Sequence, residues 1–224
     1  MQHTLAEENY LKAIYHLSEG GKLNVSTNAL AAKLETKPAS ATDMIRKLAD
    51  KDLVIYEKYQ GVNVSKIGKA HALKIIRKHR LWETFLVETL GFGWDEVHNV
   101  AEQLEHIQST LLVERLDIFL GHPKFDPHGE PIPDAEGNYR QKIRTLLSDM
   151  KTGQQGKLVA VKVSEASFLR YLDKLNLEIG SHVKVLDILS FDHSSLIAIN
   201  NESEVYVSKE VAANLFFEAV DDKD

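Results

Sequence analysis

The stretch ALAAKLETKPASATDMIRKL, from Ala29 to Leu48, predicts two consecutive helices joined by a tight turn. Pro38 stands where the second helix would begin, and at that position the missing N–H of proline costs no hydrogen bond. Ser26 is a suitable N-cap for the first helix, because its hydroxyl oxygen can accept from an amide of the first turn. The stretch therefore indicates a helix-turn-helix whose second helix is the candidate recognition helix.

The segments on either side extend this motif to a winged helix-turn-helix. Before it, LKAIYHLSE from Leu11 to Glu19 has helical spacing. After it, two short strands, Val54–Lys58 and Val62–Val64, alternate around a turn that carries Gly61. A three-helix bundle with a hairpin and no affinity for DNA is the alternative interpretation of the same pattern.

The charge distribution favours the DNA-binding interpretation. The whole chain of 224 residues has a formal net charge of -6, yet 12 Lys/Arg stand against 5 Asp/Glu between Lys33 and Arg80. A basic segment within an acidic chain is typical of a surface that binds a polyanion. Long basic side chains are expected to reach phosphates, and the first turns of a recognition helix reach base edges. The candidate DNA contacts are Lys37, Pro38, Ser40, Thr42, Arg46, Lys47 and, in the wing, Lys58.

Composition excludes several classes of protein. With 43% hydrophobic and 27% charged residues, the chain is typical of a globular protein of two or three small domains. No apolar run approaches the roughly 18 residues of a membrane-spanning helix, and the N-terminus lacks the blocks of a signal peptide. We therefore expect a cytoplasmic protein without a membrane partner. The chain has no cysteine, so a metal site would use nitrogen and oxygen ligands.

The stretch VHNVAEQLEHI, from Val97 to Ile107, places four metal-ligand side chains in close succession. These are His98, Glu102, Glu105 and His106. On one continuous helix they would share an arc of roughly 100° beside an apolar stripe. Such an edge suits a partly desolvated metal site, but a solvated charged face explains the same spacing, and spacing alone leaves both open. A metalloenzyme is disfavoured, because the chain lacks an HExxH motif and a substrate-binding Gly-rich loop.

The middle of the chain is predicted to be mainly helical. A long helix runs from Lys66 to about Leu90 and is followed by a break at Gly91-Phe92-Gly93. Four of the five prolines lie between Pro123 and Pro133, which indicates an irregular connection. The run YRQKIRTLLSDMKTG, from Tyr139 to Gly153, then has helical spacing and is predicted to be a helix.

From Lys157 onwards the pattern changes to short β runs with one helical insert, which predicts a small SH3-like barrel. The expected fold class is thus mainly α with small β. We expect three domains: a winged helix-turn-helix over 1–72, a helical metal-binding and dimerisation domain over 73–150, and an SH3-like β-barrel over 151–224.

Six segments spread over almost the whole chain resemble the diphtheria toxin repressor family of metal-dependent regulators, most closely its manganese-sensing branch. They are EENYLKAIYHL, ALAAKLETKPASATDMIRKL, LVIYEKYQGVNVSKIGK, KHRLWETFL, VHNVAEQLEHI and GEPIP. The resemblance implies a repressor of metal-uptake genes that is not an enzyme and has no organic cofactor. It also implies a homodimer that binds a palindromic operator in double-stranded DNA, and a third domain similar to the ferrous-transport A type.

The resemblance further implies two neighbouring metal sites. The ligands implied for one site are His79, Glu83 and His98. Those implied for the other are Glu102, Glu105, His106 and, on the first helix, Asn9. Manganese sensors of this family commonly carry acidic ligands on that helix, where this chain has Asn9 and Lys12, so Glu7 or Glu8 is an alternative ligand. In the third domain, Glu165 is the candidate for an additional ligand of the first site.

The donor atoms favour manganese. Iron-responsive members of the family have a Cys at the position of Glu102 and a thioether at that of Asn9, whereas this chain has oxygen donors at both. Oxygen donors favour Mn(II) relative to thiolate-preferring metals, although Fe(II) is an alternative and Zn(II) or Co(II) can occupy such sites in vitro. A winged-helix regulator whose C-terminal domain senses a small molecule or a partner also stays open.

Overall fold

The computed structural model describes residues 3–140 and 143–219, and these divide into two compact units. The first unit contains the chain up to Trp82 with Glu102–Arg115 and Pro133–Tyr139. The second contains Glu83–Ala101, Leu116–Ile132 and the chain from Arg140 onwards. Within the described ranges, no helix combines the length and the apolar character that crossing a membrane demands.

The first half of the chain forms a winged helix-turn-helix followed by longer helices. In order, the elements are α1 (Leu5–Leu17), α2 (Thr27–Lys33), α3 (Pro38–Asp50), β1 (Val54–Glu57), β2 (Gly61–Val64), α4 (Lys66–Glu88), α5 (Val97–Leu104) and α6 (Thr110–Phe119). The predicted helix starts are confirmed: the Ser26 hydroxyl accepts from the amide of Ala29, and Pro38 occupies the first turn of α3. On α1, Thr4 and Glu7 form a reciprocal capping box, which satisfies two amides of the first turn.

An apolar core holds the three helices of this motif against the wing. Its fully buried members include Leu11 and Ile14 of α1, Leu30 of α2, Ile45 of α3 and Val62 of β2. Burial of each such side chain stabilises the fold by roughly 1.5–3 kcal/mol. The position of α1 is therefore coupled by packing to that of α3.

The wing is a two-stranded antiparallel ribbon whose register runs from Val54 opposite Val64 to Glu57 opposite Gly61. Gly61 has φ +99, and a Cβ there would lie 2.6 Å from the carbonyl oxygen of Val25. Both facts require glycine at this position. The predicted strands are confirmed to within one residue at each bound.

The C-terminal block forms a six-stranded antiparallel sheet with strand order β3-β8-β4-β5-β6-β7, as the predicted SH3-like domain requires. The strands are β3 (Thr145–Leu146), β4 (Gln155–Val161), β5 (His182–Ile188), β6 (Ser195–Ile199), β7 (Ser203–Val207) and β8 (Leu215–Ala219). Two helices interrupt them, α7 (Ala166–Lys174) and α8 (Lys209–Ala212). The helical insert was expected at the position of α7, and this expectation is confirmed.

The helix predicted from Tyr139 to Gly153 is wrong for the residues that the structure describes, which exclude 141 and 142. Thr145–Leu146 pairs with β8, and a short 3-10 turn follows over Leu147–Asp149. The buried side chains of Leu147 and Met150 belong to the core of the sheet. Their three-residue spacing suits a helix and a 3-10 turn equally well, and packing against the sheet decides between the two.

Candidate metal centre

Glu105 is the centre of a cluster of charged side chains in the first unit. Its side chain is 0% exposed. The Lys12 ammonium donates to both carboxylate oxygens, over 2.6 Å and 2.8 Å, and His79 Nδ1 lies 2.6 Å from Oε2. Burial opposes ionisation, but the hydrogen bond with His79 and the charge of Lys12 outweigh it and lower the pKa of Glu105. The group therefore offers carboxylate oxygens at neutral pH.

The first helix reaches this cluster through Glu8. Glu8 Oε2 lies 2.6 Å from His106 Nδ1, and Glu8 Oε1 accepts a hydrogen bond of 2.9 Å from the amide of Gln108. Glu7 is engaged elsewhere, because Lys51 donates to it over 2.6 Å. Of the acidic candidates on α1, Glu8 is thus the one that meets His106, whereas Asn9 is half-buried on the same helix.

The prediction that one helix carries Glu102, Glu105 and His106 on a single arc is wrong. Helix α5 ends at Leu104, so Glu105 and His106 lie in the turn that follows it. The next helix begins after Ser109, whose hydroxyl accepts from an amide of its first turn. Ser109 was the sequence signal for this new helix start.

The side chains of this cluster fit a divalent first-row cation. Glu8, Glu102 and Glu105 offer carboxylate oxygens, and His106 offers an imidazole nitrogen. Lys12 already holds some of these oxygens, since its Nζ also lies 3.3 Å from Glu102 Oε1. The Lys12 ammonium therefore contacts carboxylate oxygens that a cation bound in this cluster would also use.

Glu83 of α4 is the centre of a second group, in the second unit. The carboxylate is 2% exposed, and its Oε1 lies 3.4 Å from His98 Nδ1. His79 precedes Glu83 by one turn on α4, so both side chains project from the same face of that helix. Glu165 is the exposed N-cap residue of α7. Its proposed part as an additional ligand in the site of His79, Glu83 and His98 stays a prediction.

Sequence reasoning missed two neighbours of Glu83. His128 Nδ1 lies 3.6 Å from Glu83 Oε2, and Asp126 belongs to the same buried group. The sequence predicts only an irregular connection between Pro123 and Pro133 and does not indicate that this connection carries side chains next to Glu83. Burial opposes protonation of His128, but the Glu83 carboxylate outweighs it and raises the pKa of the imidazole. The sequence DPHG was the only signal of this arrangement, and a turn explains it equally well.

The candidate DNA contacts lie on α3 and the wing. Those with exposed side chains are Lys37, Pro38, Ser40, Arg46, Lys47 and Lys58. Thr42 is half-buried, and its hydroxyl donates to the carbonyl oxygen of Pro38 over 2.9 Å. That hydroxyl keeps its lone pairs for a donor on a base edge. Which of these side chains touches DNA stays a prediction.

Family models account for nearly the whole chain. The model of the iron dependent repressor N-terminal DNA binding domain matches residues 4–62. That of the iron dependent repressor metal binding and dimerisation domain matches residues 65–134, and the FeoA domain matches residues 145–219.

Individual relatives agree with these matches. The iron-dependent repressor IdeR of Mycobacterium leprae is 32% identical over 167 residues, which cover 70% of this chain and 71% of that protein. The diphtheria toxin repressor of Corynebacterium diphtheriae is 27% identical over 191 residues, which cover 80% of this chain and 84% of that protein.

A solved structure extends the agreement to the fold. The manganese-dependent transcriptional repressor in complex with manganese is 34% identical, with a TM-score of 0.87, and the match covers 96% of this chain and 100% of that one. The expected winged helix, helical metal domain and C-terminal SH3-like domain are confirmed. Because sequence and fold agree over nearly its full length, the chain belongs to the diphtheria toxin repressor family of metal-dependent transcriptional repressors, whose members are DNA-binding proteins and not enzymes.

Proposed function

We propose that this protein is a Mn(II)-activated repressor of metal-uptake genes that binds a palindromic operator as a homodimer in the cytoplasm. The observation that carries the proposal is the position of α1. This helix packs in the core of the DNA-binding motif and also contacts the candidate metal cluster through Glu8 and Lys12. A change at the cluster therefore acts on the element that supports the recognition helix.

We assign the metal ligands as follows. One site is formed by Glu8, Glu102, Glu105 and His106, with Glu8 taking the part that the family resemblance gave to Asn9. The other is formed by His79, Glu83 and His98, with Glu165 as a candidate additional ligand. A divalent cation bound by these residues would supply positive charge that draws carboxylates of separate segments together.

Repression then follows from linkage. Glu8 belongs to α1, and Glu102 to His106 belong to the end of α5 and its following turn. The ligands from these two segments come close enough to share one ion only when α1 occupies certain positions. Because the metal binds those positions of α1 more tightly than others, it raises their population. The coupling free energy between two such binding sites is typically about 1–3 kcal/mol, which corresponds to a change in affinity of roughly 5–150-fold.

Dimerisation is supported by apolar side chains that α6 leaves exposed. Leu111, Ile118 and Phe119 each expose more than half of their surface in the single chain. In a two-fold dimer, two copies of α3 meet half-sites about one helical turn of DNA or a multiple apart. A palindromic operator is the DNA counterpart of that symmetry.

The choice of metal is supported by the oxygen donors and by the manganese complex among the similar structures. The iron-dependent relative keeps an Fe(II)-responsive repressor as the second candidate. An operator duplex that the protein selects from a randomised DNA pool in the presence of Mn2+ is the DNA probe that tests both candidate repressors. Affinity for that duplex across Mn2+, Fe2+, Co2+ and Zn2+ tests the choice.

Glu102→Cys should move the metal response away from Mn2+ toward softer ions. A thiolate favours Zn2+ and other thiolate-preferring metals over Mn2+, whereas the wild-type carboxylate favours harder ions. The measurement is the metal concentration at half-maximal operator binding, compared between Mn2+ and Zn2+. An unchanged ratio of the two concentrations would remove Glu102 from the ligand set.

The DNA contacts can be divided into two classes by their salt dependence. Lys47→Ala should weaken binding to operator and scrambled duplexes alike and lower the salt slope by roughly one unit, because a phosphate contact is lost. Thr42→Ala should change the operator-to-scrambled ratio with little effect on the slope. Affinities over a salt series check both. If Lys47→Ala alters the ratio and Thr42→Ala does not, the two roles are reversed.

A further inference from the structure

The first unit contains a cavity of about 350 Å³ that is lined by α1, the first half of α4 and the start of α6. Its apolar lining consists of the side chains of Leu11, Leu53, Ile75, Ile107 and Val113. This volume lies at the lower end of the range of small-molecule sites, which typically combine an apolar lining with a few polar groups. The cavity therefore suits an organic molecule with an apolar body.

Two lysine side chains of α4 bring positive charge to this lining. Lys74 and Lys78 stand four residues apart, so they project from the same face of the helix. Lys78 is half-buried, and its ammonium donates one long hydrogen bond, over 3.4 Å, to the carbonyl oxygen of Ile107. An ammonium carries three protons, so Lys78 keeps two donors for a ligand. Lys74 forms no ion pair with any residue that the structure describes.

The carboxylates in the same lining are held by other partners or face solvent. Glu7 accepts from the ammonium of Lys51 over 2.6 Å. Glu8 lies 2.6 Å from His106 Nδ1. The third carboxylate, that of Glu114, is exposed. None of the three forms an ion pair with the two lysines of α4, whose charge is therefore left for a ligand.

The start of α6 adds amide donors to the lining. Ser109 and Thr110 both line the cavity, and the helix of ten residues begins at Thr110. The Ser109 hydroxyl accepts from the amide of Leu112, and its carbonyl oxygen accepts from that of Val113. The amides before them have no carbonyl partner within the helix, and the positive end of the helix dipole favours an anion. The helix start and the two lysines thus favour the same charge of ligand.

We propose that this cavity binds a small organic carboxylate with an apolar body. The carboxylate accepts from the ammonium groups of Lys74 and Lys78, and the apolar body covers Leu11 and Ile75. The site goes beyond the proposed repressor function, because neither metal nor DNA takes part in it. A ligand in the cavity also lies against α1 beside Glu8, next to the candidate metal cluster.

The test measures the binding of octanoate and of 4-phenylbutyrate to the full-length, chelator-treated protein by titration calorimetry and ligand-observed NMR. Both acids join a carboxylate to an apolar body, one flexible and one aromatic. At least one should bind saturably, with one molecule per chain. Neutral octanamide should bind roughly tenfold more weakly than octanoate, because it lacks charge-assisted hydrogen bonds. Inorganic phosphate, which has no apolar body, should not displace either acid.

Two variants locate the binding in this cavity. Lys78→Met removes the half-buried ammonium and should weaken binding of the acids roughly tenfold, with little effect on octanamide. Val113→Phe places a larger side chain in the lining and should abolish binding of the acids and of octanamide. Lys66→Met is the matched control, because Lys66 is an exposed lysine of α4 outside the lining, and it should bind like the wild type. Thermal unfolding confirms that each variant is folded.

The proposal is overturned if neither acid binds the wild type. It is also overturned if folded Lys78→Met and Val113→Phe proteins bind the acids as tightly as the wild type, or if phosphate displaces them. Because the protein in this test holds no metal and no DNA, the result is separate from that for the proposed repressor function.

Discussion

Replacing His106 by Ala should abolish the gain in operator affinity that Mn2+ produces, while the protein stays folded. His106 joins the turn after α5 to Glu8 of α1 through a contact of 2.6 Å. Without this imidazole, the ligand set loses its nitrogen donor and the contact that holds Glu8 of the first helix beside the turn. A gain of roughly 5–150-fold in the wild type should therefore fall to about one.

Fluorescence anisotropy with a labelled operator duplex, with Mn2+ or with chelator, measures this gain. His122→Ala is the control, since His122 is an exposed histidine paired with Asp117. It should keep the full metal response. A His106→Ala protein that responds to Mn2+ as strongly as the wild type would remove this residue from the mechanism.

Lys12→Met should destabilise the metal-free protein and enlarge the stabilisation that Mn2+ gives. The Lys12 ammonium lies 2.6 Å from a carboxylate oxygen of the fully buried Glu105. Loss of one partner from a buried ion pair costs roughly 3 kcal/mol, because the remaining charge is uncompensated. The same substitution removes the cation that competes with metal, so Mn2+ affinity should rise.

Denaturant unfolding with and without Mn2+ measures both effects. Lys51→Met is the matched control, because Lys51 pairs with the buried Glu7 of the same helix but lies outside the cluster. It should lower stability without changing the increment due to Mn2+. Equal Mn2+ increments in Lys12→Met and the wild type would contradict competition between the ammonium and the metal.

The DNA-binding motif could be predicted from sequence because its signals are local. Ser26 caps α2, Pro38 opens α3, and Gly61 meets the backbone of Val25, and each of these constraints acts within a few residues or across one close contact. The structure of the stretch from Tyr139 to Gly153 could not be predicted from local signals. Leu147 and Met150 have helical spacing, and only the sheet against which they pack selects a 3-10 turn.

The candidate metal centre, too, could be predicted only in those features that local sequence determines. Spacing identified the segment that contains Glu102, Glu105 and His106, but it could not show that the helix ends at Leu104. Nor could spacing choose among the side chains of α1, because the choice of Glu8 depends on a contact with a residue 98 positions away. Contacts over such separations are set by tertiary packing and leave no periodic signal in the sequence.

If the proposed function is correct, metal bound by the cluster around Glu105 controls recognition of an operator, and this coupling can be measured. Its most direct test is the affinity of the wild-type protein for the selected operator and for a scrambled duplex, each with Mn2+ and with chelator. Mn2+ should tighten binding to the operator by roughly 5–150-fold and leave the scrambled duplex nearly unaffected. Equal operator affinity with Mn2+ and with chelator would contradict the claim.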